Sequence, residues 1–154
     1  IRSSKNEILD KKIKIIKTNR GGKITLHNPG QKIIYFVIDL NKRKKDIRLL
    51  LKVIETSIIE VLKIYNINGS SDKKNIGIWV KNKKISAIGI KVKRWIAYHG
   101  CSININNDLS KYKKIIPCGL SNDRITSFDD LGVKNIFNLN KNIKEIFNKN
   151  LTKI

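Results

Sequence analysis

Cys118 stands between Pro117 and Gly119, directly after Ile115-Ile116. Proline fixes φ and glycine admits φ values closed to other residues, so these flanks prescribe the backbone direction at the thiol. A thiol held this way suits a nucleophile, since thiolate is the form that attacks a thioester. Pro-x-Gly is also ordinary turn chemistry, and cysteine is among the most buried residue types. The triplet alone therefore leaves a structural thiol open. Lys84 is the second candidate. In Lys83-Lys84-Ile85-Ser86-Ala87-Ile88-Gly89 it stands at the mouth of a small-residue strand. Burial disfavours the charged form of an amine and makes a lysine usable as a base, whereas a lysine in a hairpin turn is usually solvated.

Two further stretches carry chemically able side chains. RGGKITLHNPGQ, residues 20–31, sets an arginine fork, paired glycines and a histidine around one extended segment. Glycines admit the close approach of another molecule to the backbone, and the alternative is a Gly-rich turn with a solvated arginine. The spacing of a Walker loop is absent. His99 and Cys101 lie in Trp95–Cys101, without CxxC, HxxxH or HExxH spacing, so His99 reads as structural and no metal site is expected.

Composition narrows the classes. The chain has 154 residues, enough for one domain with one core. It carries 33 Lys+Arg against 12 Asp+Glu, a net charge of +21. Such an excess commonly signals an acidic partner or nucleic acid. Here 30 Ile, 27 Lys and 18 Asn make up about half the chain, the residues an AT-rich genome encodes most readily. The lysines are spread along the whole length, and aromatic residues are only 6%, so a basic nucleic-acid-binding domain is the weaker class. Two cysteines make no disulfide framework, and no stretch has the length of a membrane span or the form of a signal peptide. The absence of methionine and the start at Ile1 point to a fragment, a processed product or an unusual start.

The positioning elements follow from periodicity. IKIIKT (13–18) and KITLH (23–27) read as extended, and Asn28-Pro29-Gly30 as a turn. KIIYFVIDL (32–40), a nearly continuous apolar run, reads as a strand buried on both faces. From Asp46 to Tyr65, Leu50, Leu51, Ile54, Ile58, Val61 and Leu62 recur at helical spacing, with Asp46 as the cap. Strands are expected at 76–80, 85–92, 94–100 and 102–106, and a short helical turn at Asp108-Leu109-Ser110. Ser127 or Asp129 is expected to cap a last helix. This order reads as α+β with a mixed sheet in a single domain, 1–154.

RGGKITLHNPGQ, KKISAIGIKVKRWIAYHGCSININNDL and IIPCGLSNDRITS, in this order, resemble the octanoyl-[acyl-carrier-protein]–protein N-octanoyltransferases, also called lipoate–protein ligase B. The resemblance implies the biotin/lipoate protein ligase fold, a mixed sheet flanked by helices. It implies an acyltransferase of the cytoplasm that needs no cofactor. The donor implied is octanoyl-acyl-carrier protein; the acceptors are lipoyl domains of 2-oxoacid dehydrogenases and glycine cleavage H protein, with no nucleic acid or membrane partner. The family's cysteine nucleophile falls on Cys118 and its lysine on Lys84. Its substrate pocket falls on Arg20, Gly21, Gly22, Lys23, Ile24, Thr25, Leu26 and His27, on Ala87, Ile88 and Gly89, and on Gly100, Cys101 and Ser102.

Three departures accompany the resemblance. Asn28 replaces the glycine of the family's His-Gly-Pro-Gly, Cys101 replaces an apolar pocket residue, and the family's N-terminal strands and helix have no counterpart ahead of the match. The chain is therefore expected to be N-terminally incomplete relative to the family, which keeps an inactive relative among the readings. An ATP-dependent lipoate or biotin ligase would need a GRGRRGR or SGGGAVYHD glycine motif, and neither occurs.

Overall fold

A computed structural model describes residues 8–10, 14–16, 18–22, 24–115 and 124–154. Its centre is a five-stranded sheet of β1 (Gln31–Asp39), β2 (Ser70–Ser71), β3 (Ile78–Val80), β4 (Lys83–Lys93) and β5 (Ile96–Asn104), in the order β1-β5-β4-β3-β2. Two helices accompany it, α1 (Ile47–Ile64) and α2 (Leu139–Leu151). The α+β expectation is met. All five strands pair antiparallel, and the parallel component of a mixed sheet is confined among the described residues to an isolated bridge between Lys84 and Ile125.

Two tight turns set the strand order. Lys81-Asn82 joins β3 to β4 and Arg94-Trp95 joins β4 to β5, each pair with both residues at positive φ. That is the geometry of a two-residue hairpin whose twist matches the strands it joins. The sequence reading split 94–106 into two strands. The structure runs one strand through Gly100-Cys101, because Gly100 leaves room for the β1 backbone: a Cβ there would collide with the carbonyl oxygen of Ile34.

α1 forms as its periodicity requires. Asp46 Oδ1 accepts from Leu49 N at 2.9 Å, satisfying one of the first-turn donors that have no partner inside a helix. Leu50, Ile54, Ile58, Val61 and Leu62 are fully buried against α2 and the sheet face bearing Ile38, Ala97, Cys101 and Ile103. Each such side chain contributes about 1.5–3 kcal/mol by leaving water. Asn66, at φ 59°, ends the helix.

Three expected elements differ. Residues 14–16, 18 and 24–27 form no strand. Ser127 does cap a turn, its Oγ accepting from Asp130 N at 3.1 Å, but that turn is closed at once. Val133 N donates to Phe128 O and Gly132 N to Asp129 O, with Gly132 at φ +79°, the glycine-closed end of a helix. The last helix starts instead after Asn138, at φ 59° and without a side-chain cap.

Candidate active site

β3 covers β4 only as far as Ser86, and among the described residues no further strand pairs with β4 on that side. Gly21 N donates to Ile90 O there, at 3.1 Å, and lays the segment around Arg20 across the strand. The Arg20 side chain passes over Gly89, where a Cβ would stand 3.0 Å from its Cδ. Between this segment and the sheet lies a cleft of about 1570 Å³. Its floor includes Ala87, Gly89, Gly100 and Ser102, cross-strand neighbours with little or no side chain. Small residues in adjacent strands leave a groove where larger ones would fill it.

The structure brings the expected pocket residues together. Arg20, Gly21, Gly22, Ile24, Thr25, Leu26, His27, Ala87, Ile88, Gly89, Gly100, Cys101 and Ser102 all line this one cleft, and so does Lys84. Lys23 and Cys118 lie outside the described residues.

Lys84 reaches the cleft through an irregularity in the sheet. Ile78 pairs with Ser86 and the next residue, Trp79, with Lys84, so Ile85 is an extra residue in β4. A bulge of this kind reverses the alternation of side chains. Lys84 therefore lines the cleft while Ser86 does not; Ser86 is 1% exposed, and among the described residues its Oγ has no hydrogen-bond partner. A void of about 10 Å³, at the lower limit for holding one water, lies beside Lys84, Ser86 and Asn104. Only 5% of Lys84 is exposed.

Ile115 and Ile125, on either side of Cys118 in the sequence, both lie at the site. Ile115 lines the cleft. Ile125 bridges Lys84, and Thr126 N donates to Lys84 O at 3.0 Å. A polar network behind them holds the sheet end to both segments. Gln31 Nε2 donates to Asn104 Oδ1 and to Tyr112 Oη, each at 2.7 Å, and Asn104 Nδ2 to Thr126 O at 2.9 Å.

Two cleft residues behave as passive walls. Cys101 is packed among core side chains, and burial pushes its thiol up to about 12, so it stays protonated at neutral pH. His99 Nε2 lies 2.7 Å from Asn19 Oδ1, a tie consistent with a structural histidine. Asn28 bonds to Asn107 and to Asp108 O, pinning the Pro29-Gly30 turn to the chain after β5. The sequence marked Asn28 only as a departure, since its partners are about 80 positions away.

Comparison with known proteins resolves the family. Residues 3–149 match the family described as the lipoyl protein ligase A/B catalytic domain. The octanoyltransferase of Wolbachia sp. subsp. Brugia malayi is 45% identical over 97% of this chain and 76% of its own length. That of Rickettsia canadensis is 45% identical over 91% of this chain and 71% of its own. The chain belongs to the octanoyltransferase family. The protein is thus an acyltransferase by family, as the three sequence blocks implied. Solved structures share the fold at low identity. Lipoate-protein ligase A bound with ATP superposes with a TM-score of 0.73 at 14% identity, covering 87% of this chain and 57% of that one. Biotin protein ligase from Aquifex aeolicus gives 0.63 at 20%, covering 80% and 54%. Among the described residues no helix is long and apolar enough to cross a membrane.

Proposed function

We propose that the protein moves an octanoyl or lipoyl group from acyl-carrier protein to a lysine of lipoyl domains, as the first step of protein lipoylation in the cytoplasm. The acceptors are the lipoyl domains of 2-oxoacid dehydrogenases and glycine cleavage H protein. The observation that carries this is the cleft: a small-residue floor of Ala87, Gly89, Gly100 and Ser102, with buried Lys84 in its lining and Ile125 bridged to that lysine.

In the first half-reaction the Cys118 thiolate attacks the donor thioester carbonyl, and the carrier's thiolate departs and takes its proton from the Lys84 ammonium, which leaves Lys84 as the neutral amine for the second half. In the second, the target lysine's amine attacks the Cys118 thioester. A carbon–nitrogen bond forms, the carbon–sulfur bond breaks, and the proton lost by the amine passes to Lys84. Lys84 as a cation favours the thiolate in the first half. Exchange between thioesters is nearly even and formation of the amide runs downhill, so no ATP is consumed. The cleft of Ile24, Leu26 and Ile88 shields the acyl chain from water.

Incubation with octanoyl-acyl-carrier protein is expected to leave a covalent octanoyl adduct on Cys118, read by peptide mass spectrometry. An adduct confined to Cys101, or normal transfer by Cys118→Ala, would refute the assignment.

A further inference from the structure

Lys84 is nearly buried, yet among the described residues no carboxylate faces it within ion-pair distance. What faces it is an indole. Lys84 Nζ lies 5.4 Å from the centre of the Trp79 ring, its cross-strand neighbour. The ring is itself 6% exposed and fixed at its far end, where Nε1 donates to Asn75 O at 3.0 Å. Gly77, at φ +139°, completes the seat. A Cβ at that position would collide with Lys84 Cε, stand 2.5 Å from the Ser86 carbonyl oxygen and 3.2 Å from Nζ. The same ring carries a second cation, Arg124 Cζ at 5.6 Å, where the described chain resumes after the Cys118 segment.

We infer that Trp79, with Gly77 as its spacer, is the positioning residue for Lys84: the indole face orients the ammonium toward the cleft without neutralising it. A carboxylate in that place would also hold the lysine, but its negative charge would cancel the field that favours a thiolate nearby. An aromatic face attracts a cation through its quadrupole and brings no net charge. A desolvated ring contact is the stronger kind, and both partners here are buried. By also holding Arg124, the ring ties the lysine to one end of the segment that bears Cys118. The catalytic part of this inference rests on the reading of Lys84 given above; the placement of the side chain does not.

Both parts are open to test on the 154-residue chain. Nuclear magnetic resonance of the Lys84 Cε methylene, assigned by its loss in Lys84→Arg, should show an upfield ring-current shift. Trp79→Phe should keep part of that shift, while Trp79→Leu should abolish it and Gly77→Ala should displace it. In octanoyl transfer, Trp79→Phe should stay within about three-fold of the parent. Trp79→Leu should lower kcat by about ten-fold with KM for the carrier protein unchanged. In a Lys84→Met background Trp79→Leu should have no further effect on the residual rate, because residues acting through one another are not additive. A Lys84 signal indifferent to both Trp79→Phe and Trp79→Leu would overturn the placement, and Trp79→Phe keeps an aromatic ring at that position. Equal losses from Trp79→Leu in both backgrounds would reduce Trp79 to a packing residue. Full transfer by Lys84→Met would remove Lys84 from the chemistry while leaving the resonance result standing.

Discussion

Thr126 N donates to the main-chain oxygen of Lys84 at 3.0 Å, beside a parallel bridge from Ile125 to the same lysine. Residues some forty positions apart are thereby joined at the backbone, where a loop or a rotamer change alters little. The chain that follows Cys118 in sequence is thus anchored, at Ile125 and Thr126, on the strand that carries Lys84.

Lys84→Ala is expected to lower octanoyl transfer by at least about 100-fold, the lower range for loss of a positioned acid–base group. It should also move alkylation of Cys118 to higher pH, since the cation favouring thiolate is gone. Lys84→Arg should restore the alkylation profile but not transfer, because guanidinium stays protonated. An arginine variant with full transfer would exclude Lys84 as the proton acceptor.

The two cysteines should separate cleanly. At pH 8, iodoacetamide is expected to label Cys118 and to spare Cys101, which is 5% exposed and protonated. The buried thiol also makes stability depend on pH. Its ordinary value is 9.0 and burial raises it to about 12, so unfolding releases a proton above pH 9. Its contribution is complete below pH 9 and is lost as pH rises toward 12. Denaturant midpoints between pH 8 and 11 should fall less for Cys101→Ala than for the parent.

Ser86→Ala should be tolerated. The hydroxyl is buried and lacks a partner among the described residues, so removing it forfeits no hydrogen bond to any of them. Stability is expected to stay within about 1 kcal/mol of the parent or to rise, by urea unfolding. A loss above about 2 kcal/mol would mean that the hydroxyl is bonded, for instance through a water in the void beside it.

Transfer should weaken with salt if the donor is acidic. A net charge of +21 speeds encounter with an acidic carrier protein, and exposed charges are screened beyond about 8 Å at physiological ionic strength. The expected result is a kcat/KM for the carrier protein that falls several-fold between 50 and 300 mM KCl (roughly the span over which screening lengths halve), with kcat unchanged. Sequence-selective DNA binding at physiological salt would restore the rival class.

Much of this protein was legible in its residues because the deciding forces are local. Asp46 and the 3.6-residue spacing from Leu50 to Leu62 determine α1. The apolar run after Pro29-Gly30 determines β1 but not its burial on both faces: Tyr35 and Val37 are 76% and 77% exposed, because one face has no layer packed over it there among the described residues. Pro117-Cys118-Gly119 with Lys84 marks the candidate chemistry. The clustering of Arg20–His27 with Ala87–Gly89 and Gly100–Ser102 came from the family resemblance; periodicity alone joins none of those segments. Tertiary structure decided what depends on a partner strand or a distant turn. Alternation in KKISAIG would set Lys84 on the side of Ser86, and only pairing with β3, which skips Ile85, turns the lysine into the cleft. Ser127 reads as a helix start, yet Gly132 closes that helix after one turn, so the long helix waits until Leu139. Trp79 read as one more apolar residue of a strand. Its meeting with Lys84 is fixed by bulge register, and register is a property of two strands together.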